Sequence, residues 1–279
     1  MSNEIKVAEL SYYPIKSCAG TTKNIEGESI KVAEKGFEFD RRWLIVNPSG
    51  KFLTQREFPQ MALIVPRVED NNLIVAAKGE RSLLEIPLQN EGNRVQVEVW
   101  GNVLDAIDEG ETAAQWFSDY LGIQARFVHM ADDFERRKGQ GRFQFADSYP
   151  FLIGSQESLD DLSRRITQNA GNPIEANRFN INVKGAEPYA EDGWKRIQVG
   201  EVQFELVKPC VRCPIPTIDQ QTALRGKEPL KTLAQYRRIS IGEKQSGVIF
   251  AQKAIHLNQG VIAIGNNIEV IETKVPPFN

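Results

Sequence analysis

Apolar and polar residues alternate in short runs along most of this chain, and the dominant period is two. Ile5, Val7 and Leu10 begin a strand that runs into Tyr12-Tyr13-Pro14-Ile15-Lys16-Ser17-Cys18-Ala19-Gly20, where turn residues end it. Residues 29–32, 42–46, 62–65 and 72–75 are β-branched runs of strand length, and residues 95–100 alternate strictly. Asn47-Pro48-Ser49-Gly50 supplies a turn between strands. In the second half, residues 180–183, 197–200 and 202–207 read as strands, and residues 261–265 with 268–271 read as a closing hairpin. Helical spacing is confined to three places. Residues 112–121 end at Gly122, a C-cap; residues 155–162 open at Ser155; residues 228–237 carry Pro229 in the first turn. Residues 132–145 are polar, charged and glycine-containing, which predicts an exposed loop or a linker at a domain boundary. The pattern is α+β and β-rich.

A chain of 279 residues makes one large domain or two ordinary ones, and it can bury a substantial core. Its net charge of −3 does not suggest nucleic-acid binding, so any anion site must be a local cluster of basic groups. No stretch is long and apolar enough to span a bilayer, and the N-terminus lacks a signal-peptide core; a cytoplasmic address without a membrane partner is the expectation. Three cysteines argue against a disulfide framework. With only His129 and His256, neither in a motif, a histidine-based triad or metal site is disfavoured, and both read as structural.

The segment Lys208-Pro-Cys210-Val-Arg212-Cys213-Pro214-Ile-Pro216-Thr217-Ile-Asp219 carries the most chemistry. Structural zinc needs about four ligands; Cys18 offers a third, and there is no second pair. A thioredoxin-like redox pair needs a helix starting at the first cysteine, and Pro214 and Pro216 oppose one. A soft metal held by one thiolate fits better. Arg212 favours the ionised thiol, and the prolines stiffen the loop. Two buried small cysteines remain the bland alternative.

At this point the chain resembles the MOSC-domain family. The Cys210-Val-Arg-Cys213 segment with Thr217-Ile-Asp219 resembles its molybdenum-binding loop. Tyr13 to Gly20, Asp40-Arg41-Arg42-Trp43-Leu44 and Thr54-Gln55-Arg56 with Pro59 resemble motifs of the MOSC N-terminal β-barrel domain. Asp147-Ser148-Tyr149-Pro150-Phe151, Asn177-Arg178-Phe179-Asn180, Tyr189 to Trp194 and the Glu228 to Leu233 block resemble the MOSC domain. The blocks occur in order over nearly the whole chain, most like the mitochondrial amidoxime-reducing components and their bacterial counterparts. Phe250-Ala251-Gln252 departs from the family's frequent Phe-Gly-Gln, and Phe179 stands where proline is frequent.

The resemblance implies a MOSC N-terminal β-barrel-like domain over residues 1–125 and a helix-decorated MOSC β-barrel domain over 126–279, with the site in the cleft between them. It implies that Cys213 ligates molybdenum and that Cys210 stands beside it without binding. Lys16, Ser17 and Arg41 match positions that hold the phosphate of the molybdenum cofactor, for which Lys, Arg and hydroxyl groups are apt. Arg178 and Asn180 match cofactor contacts, Ser148 and Asp147 lie near the metal and pterin, and Asp147 is a candidate to orient substrate or relay a proton. The implied reaction is reduction of small N-hydroxylated or N-oxygenated compounds. With no flavin motif and no cysteines left for an iron–sulfur cluster, electrons are expected from a separate reductase, ferredoxin or cytochrome-type protein. Two alternatives stay open: a sulfur carrier using a Cys213 persulfide, and a cofactor storage or transfer module.

Overall fold

The computed structural model describes residues 4–79, 82–168, 178–241 and 245–278. The described chain is β-rich, with several sheets and three α-helices: α1 (Glu111–Leu121), α2 (Gln156–Gln168) and α3 (Leu230–Tyr236). The helices fall at the three places where the sequence has helical spacing. Gly122 adopts φ 70° and its N–H bonds the Ser118 carbonyl at the end of α1. The Ser155 hydroxyl accepts from the Ser158 N–H at 3.2 Å at the start of α2, and the Glu228 carboxylate accepts from the Thr232 N–H at 3.0 Å in the first turn of α3. No helix among the described residues is long and apolar enough to cross a membrane.

The largest sheet runs, in spatial order, Thr21–Lys23, Lys6–Tyr12, Ile181–Lys184, Phe151–Ser155, Ser246–His256, Val202–Val211, Trp194–Val199 and Ile268–Thr273, with Arg238–Ser240 also paired to Ser246–His256. Its pairings are antiparallel except that of Phe151–Ser155 with Ile181–Lys184. A parallel pair needs a crossover connection, and α2 lies in it. A four-stranded sheet orders Trp43–Val46, Arg126–Met130, Asn102–Asp108 and Arg94–Val99. Here Trp43 and Ile45 enter a core with Phe117 and Phe127, while Leu44 and Val46 enter another with Phe145. Burial on both faces is why that strand reads as an unbroken apolar run. The remaining larger sheets are Ile64–Glu69, Asn72–Ala77, Leu84–Pro87 and Gly260–Ala263, Ser29–Ala33, Gly36–Phe37. Strands from the two ends of the sequence therefore share sheets.

Three local expectations need correction. The run at 261–265 and that at 268–271 do not form a hairpin with each other. Gly260–Ala263 pairs with Ser29–Ala33, and Ile268–Thr273 pairs with Trp194–Val199. The turn between them, with Gly265 at φ 88°, gives its backbone bonds to Val7 instead: Val7 N to Asn266 O and Gly265 N to Val7 O, both 2.9 Å. Residues 132–140 are largely exposed, as the charge pattern predicts, but the segment turns inward from Gly141. Phe143 and Phe145 are buried, a short hairpin pairs Arg137–Lys138 with Gly141–Arg142, and buried Arg136 donates to the carbonyls of Gln144 and Ala146. Two aromatic anchors outweigh a high charge count. Ala62 and Leu63 belong to a 3-10 turn, Pro59–Leu63, that precedes the strand and is opened by its proline.

One glycine controls how the second half meets the site. Gly154 is the register partner of Asn182, and a Cβ on it would lie 2.4 Å from the ring of Phe179, which stands between Arg178 and Asn180 in sequence. Gly154→Ala is expected to lower stability by about 1–3 kcal/mol through overpacking. Urea unfolding checks this, and an unchanged midpoint would contradict the assigned packing.

Candidate functional site

A cleft opens where the segment after the first strand faces the loops of the second half. One wall comes from Lys16, Ser17 and Arg41. The Lys16 N–H bonds the Trp43 carbonyl at 2.9 Å, and the Arg41 N–H bonds the Tyr13 carbonyl at 2.8 Å, so the main chain is pinned at both positions. Ser17, Arg41 and Arg178 adopt left-handed backbone, with φ of 66°, 50° and 57°. Side-chain-bearing residues rarely adopt that region, and such strain concentrates at functional sites. Each is held: the Gln55 amide donates to the Ser17 carbonyl at 2.8 Å, and the Arg178 guanidinium donates to the Cys18 carbonyl at 2.8 Å. Tyr13 serves both arginines. Its ring centroid lies 4.5 Å from Arg41 Cζ and 4.2 Å from Arg178 Cζ, and its hydroxyl donates to the Phe179 carbonyl at 3.2 Å.

Behind Arg41 lies Asp40, buried and ion-paired with it. Burial pushes the Asp40 carboxyl above its usual range, against the pull of the Arg41 guanidinium. Asn180 closes this node. Its amide donates to the Ser11 carbonyl at 3.1 Å, and its oxygen accepts from Arg41 at 3.2 Å and from the Leu152 N–H at 3.1 Å.

Asp147 caps the opposite side. It accepts from the Lys16 ammonium and from the Trp100 indole at 2.9 Å, and Arg56 lies 3.9 Å away, stacked over the Trp100 ring. Burial opposes ionisation of Asp147, yet the Lys16 ammonium and the Trp100 N–H hold its carboxyl well below the usual range. Burial pulls the Lys16 ammonium below its ordinary value, with Asp147 opposing. An ammonium carries three donors, so Lys16 can serve Asp147 and a second anion together.

Cys210 lies within the strand Val202–Val211, and Cys213 follows just beyond it. β-bulges interrupt the pairing around Val207 and Cys210, where Pro209 can be accommodated, and the Arg212 N–H bonds the Val248 carbonyl at 2.9 Å. The 3-10 turn Ile215–Thr217 then fixes the loop. Both cysteines line the cleft; Cys210 is buried and Cys213 is partly exposed.

Lys16, Ser17, Arg41, Asp147, Ser148, Arg178, Asn180 and Cys213 all line this one cleft. Asn177 lies outside the described residues. Cys18 does not line the cleft; burial pushes its thiol up, with Arg178 opposing. His129 bonds buried Glu109 at 2.8 Å, and His256 packs edge-on against Phe151, so both belong to the scaffold. Arg56, Tyr149 and Lys253 also line the cleft, and Trp100 bonds Asp147, although none of them stands out in the sequence as a site residue. Arg56 and Tyr149 sat inside recognised blocks; Lys253 had no signal beyond its neighbour Gln252.

The charge balance is lopsided. Lys16, Arg41, Arg56, Arg178, Arg212 and Lys253 line the cleft against one carboxylate, Asp147, in a chain of net charge −3. Such a cleft suits an anionic ligand. Among the described residues no group of three His, Cys, Asp or Glu side chains converges to hold a metal unaided. A metal at Cys213 must therefore bring most of its ligands with it, and a phosphate-bearing dithiolene pterin fits both the thiol and the cations.

Fold and site thus place the chain in the MOSC family: the MOSC N-terminal beta barrel domain matches residues 4–124 and the MOSC domain matches residues 140–269. Among the proteins it is similar to, mitochondrial amidoxime-reducing component 1 of Mus musculus is 33% identical, covering 95% of this chain and 82% of that one. The Homo sapiens counterpart is 30% identical over the same shares. The molybdenum cofactor sulfurase of Danio rerio is 29% identical over 94% of this chain but only 34% of its own length.

Removing the Asp147 charge leaves buried Lys16 without its carboxylate. Because Asp147 is 44% exposed, the cost is discounted from that of a buried pair to about 1 kcal/mol. The folded carboxyl titrates below its unfolded value, so its contribution is present above about pH 4 and lost as pH falls towards the folded value. Asp147→Asn is therefore expected to be less stable than the parent at pH 7, with the gap shrinking below about pH 4. A pH-independent gap in urea unfolding would contradict the pairing.

Proposed function

We propose that this chain binds the molybdenum cofactor through Cys213 and reduces N-hydroxylated or N-oxygenated compounds, using electrons from a separate protein. The observation that carries the reading is the cleft itself: a single accessible thiol sharing a wall-to-wall cationic lining with one ionised carboxylate. The cations Lys16, Arg41 and Arg178 along the cleft, which a persulfide carrier does not need, favour reduction over sulfur transfer. When bound, the cofactor would supply two-electron oxygen-atom-transfer chemistry.

The chain's own residues then have separable tasks. Lys16, Ser17, Arg41 and Arg178 hold the cofactor phosphate, with Tyr13, Asp40 and Asn180 fixing the two arginines. Cys213 supplies the protein sulfur, on a loop stiffened by Pro214 and Pro216. Asp147 is held ionised by Lys16, which makes it a hydrogen-bond acceptor rather than a proton donor. Its task is to orient an N–H or O–H of the substrate, and water at the open cleft supplies the two protons that leave with the oxygen as water. Ser148, held by Lys253 at 2.8 Å, lines the same side.

The test is turnover by cofactor-loaded protein with a chemical reductant, followed as amidoxime converted to amidine. Parent protein is expected to turn over with the chemical reductant, to remain inactive with NADH alone, and to lose activity at least about a hundredfold as Cys213→Ser, the scale for a removed metal ligand or its support. Sulfane sulfur on Cys213 with no amidoxime reduction would replace this reading with a sulfur carrier.

A further inference from the structure

Three lysines gather around the Ser148-Tyr149 pair, which lines the cleft together with Lys253, while Lys138 and Lys208 lie on the exposed surface beside it. The ammonium groups of Lys138 and Lys208 lie 5.6 and 5.8 Å from the centroid of the Tyr149 ring. Lys253 donates to Ser148, the residue before that tyrosine, at 2.8 Å. Lys208 and Lys253 are direct register partners across neighbouring strands. Like charges placed opposite one another destabilise a strand pair. Burial first, then Lys253 and Lys138, hold the Lys208 ammonium below its ordinary value.

Elsewhere on this surface close cations are balanced by acids, as in Arg94 with Asp105 and Asp133 or Arg126 with Asp108 and Glu111. Among the described residues none of these three lysines forms an ion pair with a carboxylate. The scaffold nevertheless holds them in place. Lys138 sits in the hairpin rooted by Arg136, where Gly141 packs so closely that a Cβ there would lie 2.5 Å from Ile255. That lysine also falls between the two family matches, which end at 124 and begin at 140.

We infer that Lys138, Lys208 and Lys253 form a subsite for a small anionic group, a carboxylate or phosphate, carried by the compound that is reduced at Cys213. Tyr149, Ser148 and Lys253 line the same cleft as Cys213, and Lys138 and Lys208 flank the Tyr149 ring at its edge, so a molecule in the cleft can extend to them. That the bound compound is a substrate rests on the reductase reading; the anion subsite itself does not.

Calorimetric binding to cofactor-loaded protein without reductant tests it, because no turnover is needed. The ligands are an aryl amidoxime bearing a carboxylate and its methyl ester. Parent protein is expected to prefer the carboxylate about tenfold or more, with the preference shrinking as salt rises. In Lys138→Ala/Lys208→Ala, with its fold verified by circular dichroism, the preference is expected to fall to within about twofold. Equal binding of both ligands by the parent protein, binding of neither, or a preference retained in the variant would each overturn the subsite. A preference lost in the variant of a protein that reduces neither compound keeps the subsite and removes the reductase reading. If the parent protein shows no preference and the variant instead raises the KM for an acidic electron-donor protein, the lysines dock the donor and the proposal falls.

Discussion

The ion pair between Asp40 and Arg41 is the constraint around which this site is built. A charge pair placed between two halves of a protein must have its remaining donors and acceptors satisfied, or burial costs more than the attraction returns. Asn180 supplies that satisfaction from the second half, while the Tyr13 N–H bonds Asp40 at 2.8 Å from the first. Meeting those demands fixes the first strand, the start of the strand Ile181–Lys184 and the Leu152 backbone in one arrangement. Arg41 and Arg178 are then both held against the Tyr13 ring, and both line the cleft. The same bonds that join the halves therefore aim the cations.

The candidate residues other than Cys213 carry no local signal of their own; they stand out because the blocks they sit in resemble those of a known family. The eight candidates converge although they are scattered from Lys16 to Cys213. Arg56 and Lys253 were not legible. A lone cation on a strand or turn is usually solvated, and only pairing in space turns it towards a cleft. The fold was legible where one face of an element is buried, as in Arg94–Val99, where Val97 and Val99 are buried and Gln96 and Glu98 are exposed. It failed where pairing is decided by distant partners. Nothing local to residues 261–271 says that Val7 takes the turn's hydrogen bonds, and nothing in the charge count of residues 132–145 announces two buried phenylalanines.

The departure at Ala251 has a physical counterpart. It is buried at φ 66°, in the core formed by Phe179, Phe250 and α2, where a glycine would adopt that backbone freely. It lies next to Gln252, whose amide bonds buried Asp192 at 2.6 Å, and Asp192 in turn pairs with Arg237. This polar network braces the strand that carries Lys253, so the strain is borne by a well-satisfied neighbourhood rather than by the cleft wall.

The central claim is that the cleft's one accessible cysteine is the protein's ligand to a molybdenum cofactor. X-ray absorption at the molybdenum edge, on protein loaded in a host that makes the cofactor, tests it most directly when parent and Cys213→Ser are compared. The account predicts a shell of about three sulfurs in the parent, two from the pterin and one from the protein, that loses one sulfur in the variant. An unchanged sulfur shell in the variant, or no molybdenum in parent protein from a host shown to load a control enzyme, would contradict it.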